Sequence, residues 1–375
     1  MAGIYIHIPF CRQKCYYCDF YKTANTALTG SFINALLKEL KLRKNYAEGE
    51  KIETIYFGGG TPSVLNEEEL RQIIDFLYNT FDIISDAEIT FEANPDDLLP
   101  DYLEMLFSNR INRLSVGIQS FQNEHLKKMN RRHNVQQAIQ SVEDAAKTGF
   151  KNISLDLIYG LPELTSKQWN DALCDIFTLP FQHLSAYHLT YHRGTPFYNR
   201  LQKGTLSEIS EDESFEQFNM LIDAAEMHGF EQYEISNFAE NGMYSKHNSS
   251  YWSGKKYIGA GASAHSFNGN ERQWNISNLK SYINAVENGL SYFEVEQLSK
   301  NEKLNEFLLV HLRTMWGISI SETEQNFGKE KADFIEKELQ KYQKTGFIES
   351  NDSRFTFTRK GMFISDEILS NLMFV

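Results

Sequence analysis

No stretch of this 375-residue chain approaches the ~20 consecutive apolar residues that cross a bilayer. The first apolar run is short and holds His7 and Pro9, so no signal-peptide core is legible. Positive charge is in short supply. There are 37 Lys and Arg against 50 Asp and Glu, a formal net charge of −13, which argues against a general binder of nucleic acid or anionic membranes. Cysteine is scarcer still, at four residues, too few for the disulfide scaffold of a small secreted domain. A nucleotide-binding phosphate loop is also missing. Gly58-Gly59-Gly60 runs into Thr61-Pro62, which is neither Gly-Lys-Ser/Thr nor the spacing G-x-G-x-x-G. The expectation is a reduced, cytoplasmic protein with no nucleic-acid partner and no transmembrane segment, transient membrane contact being left open.

Three of the four cysteines crowd together as C-x3-C-x2-C: Cys11, Cys15 and Cys18. A structural zinc site usually takes four ligands in two short pairs, and no second pair exists here. His7 could supply a fourth zinc ligand, but it lies on the β-type run Ile4–Ile8. The remaining Cys174 reads as a packed thiol on the inner side of a helix. A [4Fe-4S] cubane needs one ligand per iron, so three thiolates leave one iron open to something other than protein.

The 41% hydrophobic and 13% aromatic content can build a large core, and the length suits one large domain with a smaller one. Apolar β-type runs at Ile4–Ile8, Thr54–Phe57, Glu88–Phe91, Arg113–Ile118, Ile153–Ile158 and Leu184–Leu189 alternate with helix-period segments. Those segments include Phe32–Leu42, Glu68–Tyr78, Val135–Lys147 and Trp169–Phe177. Alternation of this kind implies right-handed crossovers and a parallel sheet. Six units are too few for a closed eight-unit barrel, so the predicted α/β fold is a partial (β/α)6 barrel over residues 1–240. An aromatic, glycine-rich segment follows over 241–299. Residues 300–375 read as a winged-helix-like module. With 10 basic and 12 acidic side chains in 301–375, that module suits packing or partner contact better than DNA reading.

The chemistry-bearing residues fall just after successive strands, where parallel α/β folds bind ligands. An open cluster iron can take the amine and carboxylate of one small molecule, and S-adenosylmethionine (SAM) carries both. Gly58-Gly59-Gly60 would offer backbone groups to its methionyl end. Glu92, Gln119 and Asp156 would accept from ribose and amine, and Arg131 could pair with the carboxylate.

The strings Tyr5-Ile6-His7-Ile8-Pro9-Phe10-Cys11, Cys15-Tyr16-Tyr17-Cys18, Gly58-Gly59-Gly60-Thr61-Pro62, Gly117-Ile118-Gln119-Ser120-Phe121 and Asp156-Leu157-Ile158-Tyr159-Gly160-Leu161-Pro162 carry a family resemblance. The chain resembles, over nearly its whole length, the radical SAM proteins of the oxygen-independent coproporphyrinogen III oxidase family. That resemblance implies that Cys11, Cys15 and Cys18 ligate a [4Fe-4S] cluster. It also implies that Tyr5, Tyr17, Gly59, Gly60, Thr61, Glu92, Gln119, Arg131 and Asp156 line the cofactor sites.

Within that family the chain resembles the heme-chaperone branch, and two departures carry the distinction. The oxidases resemble C-x3-C-x2-C-x-C, whereas Phe20 stands at the final position here. His247-Asn248-Ser249-Ser250-Tyr251-Trp252 matches the H-N-x-x-Y-W element of the branch. The resemblance therefore implies heme binding and delivery to an acceptor protein rather than porphyrinogen decarboxylation, leaning away from an enzyme and leaving SAM cleavage open. It makes 241–299 a heme-element and linking segment, with His247 expected as an axial ligand and Tyr251 and Trp252 packing on the macrocycle. His265 is the substitute, and His188 and His192 are weaker candidates. The alternatives are the oxidase itself and an RNA-modifying radical protein, the latter disfavoured by the acidic balance.

Overall fold

The structure, a computed structural model, describes residues 1–351 and 354–374. The main unit begins β1 (Ala2–Ile8), α1 (Thr29–Leu42), β2 (Ile52–Gly59), α2 (Glu67–Thr80), β3 (Ile83–Ala93), α3 (Pro100–Ser108) and β4 (Arg113–Gln119). It continues through α4 (Asn123–Lys128), α5 (Val135–Thr148), β5 (Ile153–Tyr159), α6 (Ser166–Ile176), β6 (His183–His188), α7 (Pro196–Gln202) and α8 (Glu211–Met227). After these come β7 (Phe230–Glu234), β8 (Asn237–Glu240), α9 (Lys246–Trp252), β9 (Tyr257–Ala260), β10 (His265–Phe267), β11 (Glu271–Asn275), α10 (Leu279–Asn288) and β12 (Phe293–Gln297).

Strands β1 to β6 lie side by side in chain order, all parallel. Both faces of β1 are buried, as expected for an apolar strand inside a helix-covered parallel sheet. Local signals start and stop the helices. Asn66 with Glu69 and Asn134 with Gln137 form capping boxes at the heads of α2 and α5, and Gly149 ends α5 in the left-handed conformation. This is the open (β/α)6 partial barrel that the alternation predicted.

The segment 241–299 is not a separate linker. Strand β9 pairs in parallel with the free edge of β1, and β10, β11 and β12 extend the sheet outward from it. The sheet thus reads β12-β11-β10-β9-β1-β2-β3-β4-β5-β6-β8-β7, so the strand nearest the N-terminus lies inside it. These flanking strands are three to five residues long, too short to show a period in the sequence. Cys174 also departs from expectation. It is exposed, because the inner stripe of α6 is Trp169, Ala172, Leu173 and Ile176.

The C-terminal unit comprises α11 (Lys300–Leu312), β13 (Ile318–Ser319), α12 (Ile320–Phe327), α13 (Lys329–Lys344), β14 (Ile348–Asn351), β15 (Arg354–Phe357), α14 (Arg359–Phe363) and α15 (Ser365–Leu372). Its small sheet, β13-β15-β14, and its own core of Leu304, Leu308, Ile335, Leu339, Phe357 and Ile368 build the winged-helix-like module. The module is anchored to β7, where Arg313 donates to Glu234 at 3.0 Å and the Met315 N–H donates to the Tyr233 carbonyl at 3.1 Å. Among the described residues no helix is long and apolar enough to cross a membrane.

Candidate functional site

The loop after β1 carries the three clustered cysteines into a cavity of about 470 Å³ at the carboxyl ends of β2 to β6. Cys11, Cys15 and Cys18 all line it, as free thiols. The loop is held down from both sides. The Gly60 N–H donates to the Ile8 carbonyl and the Thr61 N–H to the Phe10 carbonyl, each at 2.8 Å. Glycine is required here: a Cβ on Gly60 would lie 2.7 Å from both of those carbonyl oxygens, and Gly59 has φ +102° with the His7 ring behind it. The Thr61 hydroxyl then sits 3.2 Å from Cys11 Sγ.

Arg131 crosses the cavity from the turn after α4. It donates to Asn94 Oδ1 and to the Gly117 carbonyl at 2.7 Å each, and reaches Cys15 Sγ at 3.4 Å and the Tyr17 hydroxyl at 3.5 Å. Gln119 ends β4 at φ +69°, an uncommon conformation for a side chain of its kind.

Two half-buried carboxyls face each other across β4. Glu92 accepts from the Tyr56 hydroxyl at 2.8 Å and from the Gly59 N–H at 3.2 Å. Burial pushes it up to about 7, and the charge of Asp156 adds to that rise. Asp156 accepts from the Ser115 hydroxyl at 3.2 Å and is likewise raised by burial, to about 6. Groups poised near neutral pH in a cleft mark a functional site.

Cys11, Cys15, Cys18, Tyr17, Gly59, Gly60, Thr61, Glu92, Gln119, Arg131 and Asp156 are therefore brought together. Tyr5 backs this wall, its ring 6.0 Å from that of Tyr56. Sequence reasoning missed Tyr56, Arg113 and Ser115. The alternation Arg113-Ser115-Gly117-Gln119 along β4 was the available signal, since every second residue of a strand faces one side.

The histidine element lies elsewhere. Helix α9 closes the barrel at the end opposite the cysteines, its first N–H groups capped by the Glu88 carboxylate at 3.0 Å. His247 is 1% exposed. Its Nδ1 lies 2.8 Å from the Thr54 hydroxyl and its Nε2 2.8 Å from the Tyr251 hydroxyl, so neither ring nitrogen is free. In this arrangement both ring nitrogens are engaged, so the expected ligation of heme iron by His247 would require one of these two contacts to open. Tyr251 is spent on that bond, and Trp252 Nε1 is buried without a partner among the described residues. Of this element only Asn248 reaches the cavity.

The donor set fits an iron–sulfur cluster with a vacant ligand position. Three thiols surround one cavity, and Cys174 is not among its walls. Among the described residues no three His, Cys, Asp or Glu side chains converge tightly enough for a single ion.

Comparison with known proteins agrees with this geometry. Residues 5–201 match the Radical SAM superfamily, and residues 298–364 match the HemN C-terminal domain. The protein called heme chaperone HemW in Bacillus subtilis (strain 168) is 36% identical over 371 residues, 98% of each chain. The chain belongs to the HemW family of radical SAM proteins. Another HemW, from Lactococcus lactis, is 36% identical over 86% of this chain and 84% of its own. Among solved structures, the coproporphyrinogen III oxidase HemN of Escherichia coli superposes with a TM-score of 0.85 over 99% of this chain and 90% of its own, at 24% identity. That likeness speaks for the fold. As a radical SAM protein, this HemW-family chain takes a [4Fe-4S] cluster and SAM as its cofactors.

Proposed function

We propose that the chain is a heme chaperone: it binds heme and passes it to an acceptor protein, with the cluster and SAM as resident cofactors. The observation that carries this reading is end-to-end similarity to proteins named heme chaperone HemW, at 36% identity over 98% of both chains. Phe20 supports it. A further cysteine in the oxidases resembles this position, and Phe20 is 65% exposed here at the cavity wall, an apolar side chain with no ligating atom.

In this reading Cys11, Cys15 and Cys18 hold the cluster. Tyr17, Gly59, Gly60 and Thr61 shape its surroundings, Glu92, Gln119 and Asp156 accept from SAM, and Arg131 takes its carboxylate, with Tyr5 supporting the wall behind. The cluster, when bound, supplies an open iron for the methionyl amine and carboxylate; the protein orients both and shields them from water. His247 and Tyr251 act by seating α9 under the barrel. Among the candidate heme ligands, His188, His192 and His265 are exposed, and His188 and His192 line the cavity. We place the boundary of the C-terminal unit near residue 298, where its family match begins. Thiols that hold a cluster need a reducing compartment, which favours the cytoplasm.

The test is anaerobic reconstitution with iron and sulfide, followed by titration with heme. A saturable Soret band that moves to an apo-acceptor on mixing is expected. No saturable heme binding by the reconstituted protein would remove the reading.

A further inference from the structure

Below Glu92 and Asp156, the cavity floor holds polar atoms that the described residues do not satisfy. Arg113, at the start of β4, is 1% exposed and lines the cavity. Among the described residues its Nε finds no hydrogen-bond acceptor. Its cross-strand neighbour on β3 is Thr90, 0% exposed, whose hydroxyl is also without a partner. Thr90 points the same way. It lies two residues before Glu92 on one strand, and its neighbours on either side, Tyr56 and Arg113, both line the cavity.

An unpaired guanidinium N–H and an unpaired hydroxyl side by side in the interior cost free energy unless something fills the gap. Other polar groups at this depth are already engaged. Glu88 takes the first N–H groups of α9, and His183 lies 2.7 Å from the Ser154 hydroxyl through Nδ1 and 2.7 Å from the Tyr233 hydroxyl through Nε2.

We propose that Arg113 and Thr90 form an inner subsite that binds a carboxylate group, one layer deeper than the residues assigned to SAM. A guanidinium edge and a neighbouring hydroxyl can each donate to a carboxylate, and the charge-assisted bond to arginine is the stronger. Glu92 and Asp156 stand above the subsite. Burial raises both toward neutral pH, which reduces the like charge an incoming carboxylate meets. The occupant is the carboxylate of a second small molecule, since the methionyl carboxylate of SAM is assigned to Arg131. The subsite does not depend on the heme reading.

The experiment is calorimetric titration of the cluster-reconstituted full-length protein with propionate, with and without saturating SAM. Saturable one-to-one binding is expected, lost in Arg113→Met and partly restored in Arg113→Lys. Thr90→Val keeps side-chain volume while removing the hydroxyl, and it should weaken propionate about tenfold while changing SAM affinity less than twofold. This variant keeps the test decisive if Arg113→Met fails to fold. Undiminished binding to the SAM-loaded protein is expected, and displacement of propionate by SAM overturns the assignment to a second molecule. No saturable binding to the wild type, or equal affinity in Thr90→Val, means that ordered water alone fills the floor and overturns the proposal.

Discussion

His247 Nδ1 lies 2.8 Å from the Thr54 hydroxyl, and this contact fastens helix α9 to the second strand of the barrel. Tyr56 stacks on the same imidazole with ring centroids 5.0 Å apart, and Glu92 in turn accepts from Tyr56 at 2.8 Å. His247 and the cofactor cavity thus meet through Tyr56.

His247→Ala should therefore cost about 2–4 kcal/mol of stability, from two lost buried hydrogen bonds and the cavity left behind. Urea denaturation measures this. The Soret band of bound heme should keep its position. A lost Soret band with unchanged stability would restore His247 as a ligand.

Acid stability follows from the same residue. Burial lowers His247 from 6.5 to about 3, with the charge of Arg113 acting in the same direction. Below pH 6.5 the unfolded chain takes up a proton that the folded ring refuses. The contribution is thus fully present above pH 6.5 and is lost as pH falls toward 3. His247→Gln should flatten the acid limb of a plot of urea midpoint against pH; an identical slope would place the titration elsewhere.

Glu92 should show the opposite sign and a trade of stability for binding. Its folded value is raised from 4.5 to about 7, so the unfolded chain ionises first, and stability falls as pH rises from 4.5 through 7. Glu92→Gln should stabilise the cofactor-free protein at pH 7.5 by on the order of 2 kcal/mol and weaken SAM by roughly 1.5–3 kcal/mol. Unchanged affinity for SAM would reduce Glu92 to a structural acid.

The cysteines separate cleanly. Alanine at Cys11, Cys15 or Cys18 should remove the brown chromophore of the reconstituted protein, while Cys174→Ala leaves it, since Cys174 is exposed on α6 and outside the cavity. In the loaded protein Cys174 alone should be alkylated readily. Loss of colour in Cys174→Ala would contradict a three-thiolate centre.

Six β-type runs, each bounded by a loop bearing polar or glycine residues, made the barrel and its rim legible in the sequence, because parallel strands carry both signals locally. The placement of β9 to β12 was not legible. Strands of three to five residues have no period to read, and β9 joins β1 across some 250 residues. The setting of His247 was not legible for a related reason: an imidazole among aromatics looks alike in sequence whether it faces a macrocycle or a neighbouring strand, and its contact with Thr54 depends on the register of the fold. Arg113 went unnoticed because a basic residue opening a strand is usually exposed, and its burial is a property of the closed barrel.

The central claim is that this chain carries heme and does not decarboxylate porphyrinogen, and one anaerobic assay tests it most directly. Reconstituted protein is given SAM, a low-potential reductant and coproporphyrinogen III, and product is followed over many equivalents. With Phe20 at the position of the oxidases' further cysteine, no protoporphyrinogen should form, while the same preparation binds heme saturably. Multiple-turnover production of protoporphyrinogen would contradict the account and make the chain an oxidase.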